Sequence, residues 1–260
     1  MATQAHVTVT EHDSSERGAG LWLRWMLATA LGFALGLAAP VLAEVITSRS
    51  LVQFDDPVAL LLMLAVYLFA AALEGMVLGT MQWLVLRRAL PAVRWRQWVG
   101  VTAMGTMVAW CLGLMPAIQP YFVSLPFDLS LWLLPVCMLA SLVAVGVAQW
   151  VVLRRQVARA WSWIYASLCS RAFGISLLFL FRGMQVLPDS DLLWLAPHTY
   201  GVSEFFLNSG LSGNAGPIEL TLLLGLITSS VLGLLAGAIT GFALVRLLRQ
   251  SVPNQAVQQP

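Results

Sequence analysis

The sequence predicts an all-α, polytopic membrane protein: six transmembrane helices arranged as three related hairpins, with approximate threefold pseudosymmetry about the membrane normal. Three observations carry that expectation. The 260-residue chain is 59% apolar and 10% charged, with a mean hydropathy of +0.82, whereas a soluble domain carries about 25% charged residues. Six apolar segments are long enough to cross a bilayer core of about 30 Å, which takes roughly 20 helical residues. Finally, a ten-residue element is repeated within the chain.

The first span is expected near 21–43, after a polar segment, 1–20, that reads as a disordered tail. Arg17 and Arg24 before an apolar core, with Val41-Leu42-Ala43 ahead of Glu44, also fit a cleaved signal peptide. The repeat argues against cleavage, because one of its units needs this helix. The second span, 58–86, and the sixth, 218–245, approach thirty residues and must tilt or project from the bilayer. The third, 98–115, is the shortest; the fourth and fifth fall near 131–153 and 161–181. The loop 182–217 is the one long connection, with apolar clusters Leu192 to Leu195 and Phe205 to Leu207 that suit a cap or lid. The shorter loop from Pro116 to Ser130 is expected to hug the interface, and 249–260 is a second polar tail. The three cysteines, Cys111, Cys137 and Cys169, lack C-x-x-C spacing and read as small core residues.

Orientation follows from arginine, since every basic residue is Arg and basic loops stay on the cytoplasmic side. With both termini inside, eleven arginines are cytoplasmic, against Arg49 and Arg182 outside and Arg171 within a span. Eight of the eleven tryptophans also lie near the inner interface, where an indole sits well among headgroups.

Gly79-Thr80-Met81-Gln82-Trp83-Leu84-Val85-Leu86-Arg87-Arg88 recurs sixty-seven residues later as Gly146-Val147-Ala148-Gln149-Trp150-Val151-Val152-Leu153-Arg154-Arg155. A worn copy in the sixth span keeps Gly237, Leu244 and Arg246, with Thr240 in place of Gln and Gly241 in place of Trp. Trp22, Trp25, Thr29 and Gly32 have the spacing of Trp95, Trp98, Thr102 and Gly105; Trp161, Trp163, Ser170 and Gly174 are a looser version. The unit is therefore a hairpin: spans two and three, four and five, and, closing across the termini, six and one. Each span also carries a stripe of small residues, such as Gly75 and Gly79 or Gly233, Gly237 and Gly241, that allows close helix approach in lipid.

The G-x-x-Q-W-[LV]-V-L-R-R element, with Trp-rich helix starts after it, resembles a group of uncharacterised bacterial multi-span proteins with repeated QWLVLR-type motifs. The resemblance covers roughly 70 to 180. It implies this architecture and a bacterial inner membrane, and brings no activity or functional residues.

Glu74 and Arg171 are the ionisable side chains well inside spans, where charge is costly and marks a candidate site. At 1.5 Å per residue both lie roughly 16 to 20 Å from the cytoplasmic end, so a pair is geometrically allowed. It would serve as a register-fixing salt bridge or as a site for a polar small molecule or a proton. Ser141 stands where the repeat puts Glu74, so the charge is no part of the basic hairpin design. Gln82 and Gln149 are placed to exchange hydrogen bonds between repeats. Alternatively they line a vestibule or ligate a pigment. Arg87, Arg88, Arg154 and Arg155, with Trp83 and Trp150, read as a cytoplasmic anchor to anionic headgroups or a docking surface for a partner.

Enzyme readings fare badly. Gly210-Leu211-Ser212-Gly213 matches a short intramembrane-protease string, but the histidines are His6, His12 and His198, and none lies in a span to act as base. No in-bilayer haem, zinc or cofactor site and no nucleotide fingerprint is expected, and nucleic acid is not an expected partner. The sequence thus points to a non-catalytic structural or partner-binding membrane subunit. The alternative is a small-molecule transporter or substrate-binding component built on Glu74 and Arg171.

Overall fold

The computed structural model describes residues 3–50, 57–122, 127–185 and 218–251. In hydrocarbon every backbone amide needs an internal partner, so long apolar runs close their hydrogen bonds as helices. Seven are formed among the described residues: α1 (Thr3–Gly36), α2 (Ala38–Ser50), α3 (Pro57–Ala89), α4 (Trp95–Phe122), α5 (Phe127–Leu153), α6 (Ser162–Gln185) and α7 (Ile218–Ser251). No described residue is in a strand.

Five stretches are long and apolar enough to cross a membrane: Gly18–Ala43, Leu61–Ala89, Trp95–Met115, Pro135–Leu153 and Leu226–Gln250. They mark the chain as a multi-pass membrane protein. The expected span 161–181 coincides with α6, whose side chains beyond Ser176 are outside the described set. So are the loop 186–217, including His198 and the Gly210–Gly213 string, and the end from 252.

Four expectations change, the first being the loop expected from Pro116 to Ser130, which is helical to Phe122 and again from Phe127. The segment 1–20, expected to be disordered, is helical from Thr3, in continuity with the first span. Residues 3–17 contain neither Gly nor Pro, and extending a helix already nucleated by the apolar run adds a hydrogen bond per residue fixed. The first span itself breaks at Leu37 into α1 and α2. Pro40 has no amide to offer the Gly36 carbonyl and its ring crowds that oxygen, while the bonds Leu37 N to Phe33 O (3.0 Å) and Val41 N to Leu37 O (3.2 Å) carry the chain round. Lastly, only Cys137 of the three thiols is buried; Cys111 is half-buried and Cys169 exposed. Cys169 shares the outer face of α6 with Tyr165 and Phe173, and an apolar face turned to lipid cannot be told by composition from one turned to the core.

The helices form a closed ring in the order α7, α1, α3, α4, α5, α6 and back to α7, with α2 lying against α3. Glycine sets the closeness of three junctions by the same local contact. A Cβ added at Gly79 of α3 would meet Thr102 Cβ of α4 at 3.0 Å and Val99 Cα at 3.1 Å. At Gly146 of α5 it would meet Ser167 Cβ of α6 at 2.7 Å and Ile164 Cα at 3.6 Å. At Gly237 of α7 it would meet Thr29 Cβ of α1 at 3.0 Å and Met26 Cα at 2.7 Å. The next junctions repeat as well: Gly32 of α1 faces Leu78 and Met81 of α3, and Gly105 of α4 faces Val145 and Ala148 of α5.

Candidate functional site

The axis of the ring is filled in layers at the end where the arginines gather. Leu86, Leu153 and Leu244, one from each repeat of the ten-residue element, are fully buried. Beside them Trp25, Trp98 and Trp163 meet edge to face in a closed triangle, with centroids 6.3, 5.7 and 6.3 Å apart and interplanar angles of 72°, 81° and 68°. Edge-to-face rings place a positive edge on a negative face, which adds to the large area each indole buries.

Next comes a polar layer of Gln82, Gln149 and Thr240, all buried, with Thr29, Thr102 and Ser167 of the neighbouring helices. A buried polar group without a partner costs about 1 to 3 kcal/mol, and here most are used. Trp163 Nε1 donates to Gln149 Oε1 at 3.1 Å. Gln149 Nε2 donates to Gln82 Oε1 at 2.9 Å and to Thr102 Oγ1 at 3.1 Å. Gln82 Nε2 reaches Thr29 Oγ1 at 3.5 Å, and Trp25 Nε1 donates to Thr240 Oγ1 at 3.0 Å. The two repeat-related glutamines therefore touch directly and bridge α3 to α5 across the axis. Trp98 Nε1 is the orphan: among the described residues it is the buried side-chain donor with no partner.

Eight residues beyond Gln82 on α3, about 12 Å along the helix, lies Glu74. Trp110 of α4 donates its indole N–H to Glu74 Oε2 at 3.0 Å. Trp110 in turn stacks on Tyr67, centroids 6.1 Å apart at 18°, and Tyr67 Oη lies 3.5 Å from Thr47 Oγ1 of α2. Arg171 on α6 stands eight residues beyond Trp163, at the same level. Glu74 and Arg171 are half-buried, and no ion pair within 4.0 Å joins them. Sequence reasoning placed both charges and missed Trp110 and Tyr67. The available signal was position, because a tryptophan deep in a span, away from either interface, needs a partner for its N–H.

At the arginine end the paired residues of the repeat divide their work. Arg87 lies over the Trp83 ring at 5.1 Å and Arg154 over Trp150 at 4.8 Å, a cation–π contact one turn apart on the same helix. Trp83 Nε1 also donates to Val93 O at 3.2 Å, pinning the turn between α3 and α4. Arg88 and Arg155 point elsewhere, each into a groove between neighbouring helices.

No family model matches the chain, and neither a curated protein nor a solved structure does.

Proposed function

We propose that the chain is a non-catalytic integral protein of the bacterial inner membrane, a structural or partner-binding subunit of six spans with both termini cytoplasmic. Its three hairpins, α3/α4, α5/α6 and α7/α1, are related by approximate threefold pseudosymmetry. The recurring glycine contacts and the three-membered Leu, Trp and polar layers support that symmetry, and the placement of eleven arginines supports the orientation.

One observation carries the functional reading: the axis is plugged at the arginine end by three interlocked, buried tryptophans, with a bonded polar layer on one side and leucines on the other. A carrier must open that end, whereas a scaffold gains from keeping it packed and presenting its outer face to a partner in the membrane or at the cytoplasmic surface. A second reading, a transporter or substrate-binding component, draws on Glu74 and Arg171, two ionisable side chains within the helical bundle.

Cysteine accessibility separates the two. In a background lacking Cys111, Cys137 and Cys169, single cysteines at Thr29 and Gln82 are treated with a membrane-impermeant maleimide from each side. A scaffold leaves both unlabelled while a cysteine at the exposed Arg88 reacts from the cytoplasm. Labelling of Thr29 or Gln82 from either side reveals a hydrated path and replaces the scaffold with the transporter.

A further inference from the structure

One concavity lies on the outside of the ring. A groove of about 810 Å³ runs between α1 and α3, floored by Leu27, Leu31 and Leu84 and flanked at one end by Arg24 and Arg88, with no carboxylate in its lining. Leu27, Leu31 and Leu84 are 53%, 50% and 40% exposed, so the floor is apolar surface that the fold leaves uncovered, on stretches long and apolar enough to cross a membrane. Arg87 is held over Trp83, which leaves Arg88 to serve the groove.

We propose that this groove is a binding site for one anionic phospholipid. Its phosphate sits between the Arg24 and Arg88 guanidinia, and an acyl chain lies along Leu27, Leu31 and Leu84. Guanidinium forks match phosphate oxygens bidentately, and two of them meet a charge that a lone juxtamembrane arginine would only attract diffusely. The apolar floor beside them selects a phosphate that carries a hydrocarbon tail over a free one.

The chain contains its own control. The junction of α4 and α5 has a related groove of about 200 Å³, lined by Gln97, Val101, Val151, Val152, Arg155 and Gln156. Counted from Trp25 and Trp98, Gln97 stands where Arg24 stands; counted along the ten-residue repeat, Arg155 stands where Arg88 stands. The second groove has one cation of the pair and less room.

The test is native mass spectrometry of the full chain in detergent, titrated with phosphatidylglycerol and with phosphatidylcholine. Wild type should retain one phosphatidylglycerol in preference to phosphatidylcholine, undiminished by excess inorganic phosphate. Arg24→Gln and Arg88→Gln should each weaken retention about fivefold, Arg87→Gln should leave it unchanged, and Gln97→Arg should add a second retained phosphatidylglycerol. Equal loss in Arg87→Gln and Arg88→Gln would mean diffuse attraction to the basic end and overturn the site. So would undiminished retention in the Arg24→Gln/Arg88→Gln double variant, or displacement of the lipid by inorganic phosphate. These readouts do not depend on whether the axis is plugged, so the site and the scaffold reading stand or fall separately.

Discussion

The three axial tryptophans occupy equivalent places, yet their N–H groups do not fare alike. Trp163 and Trp25 each donate to the polar layer, whereas Trp98 has no partner for its N–H among the described residues. Replacing Trp163 by Phe removes a bond and strands the Gln149 oxygen, at a cost of about 1 to 3 kcal/mol beyond the lost ring volume. Trp98→Phe removes a similar volume and no bond, and also relieves an orphan donor. Denaturant unfolding in detergent should therefore find Trp98→Phe the more stable of the two; the reverse order would refute the bonding scheme. Glu74 gives the second residue-scale expectation. Arg171→Met removes the opposite charge at its level without breaking a direct ion pair, so the loss should fall below the cost of about 3 kcal/mol for a broken buried pair. Adding Glu74→Gln removes the charge while the amide oxygen still accepts from Trp110. The double variant should recover most of the loss, and simple additivity of the two costs would show that the charges are uncoupled. The repeat made the Trp and Gln positions legible. Trp110 has no counterpart, since Leu37 and Ile175 stand at its place in the other hairpins, so self-comparison could not expose it.

Among the elements, helix proximity is decided by glycines whose missing Cβ is replaced by a neighbouring backbone. A Cβ at Gly75 would lie 2.7 Å from Ala103 Cα, whereas at Gly100 nothing lies within 4 Å. Gly75→Ala should therefore force α3 from α4 and destabilise by about 1 to 3 kcal/mol. Gly100→Ala should stabilise by about 0.5 to 1 kcal/mol through helix propensity alone. A thermal-shift comparison of the two checks this, and equal effects would show that the packing at Gly75 is looser than described. The sequence made helix existence readable from apolar length, because a bilayer fixes that length, while several helices run past the apolar core, α4 to Phe122 and α7 to Ser251. On α5, Ala144 and Ala148 meet Gly105 of α4, whereas Gly146, on another face, makes the close contact to α6. Alanine and glycine spacing on a single helix cannot say which of two neighbours it serves. The break at Leu37 was likewise hidden, since Pro40 lies in an otherwise uninterrupted apolar run.

For the whole molecule, the ring closes between the first and last spans, the contact that the proposed α7/α1 hairpin requires. The closeness is literal: a Cβ added at Gly18 would sit 2.6 Å from Arg249 Nη2, and Trp22 Nε1 donates to Ala238 O at 2.9 Å. The pairing of the first and last spans was legible in the repeat. The plug of three tryptophans was not, because periodicity tells which residues are equivalent and not that equivalent residues converge on one axis.

Circular permutation addresses that architecture most directly. Joining the two terminal segments and reopening the chain between the exposed Pro91 and Ala92 converts α7/α1 into a hairpin with a continuous turn and leaves α3/α4 closing across the new termini. If the three hairpins are equivalent units of one ring, the permuted protein will be monodisperse in detergent, keep the near-ultraviolet dichroism of the tryptophan triangle and unfold in one cooperative transition. Should it aggregate or lose that signal, while the same two fragments cut at Pro91 and expressed together still assemble, then α7 and α1 are not a hairpin like the others and the threefold account is wrong.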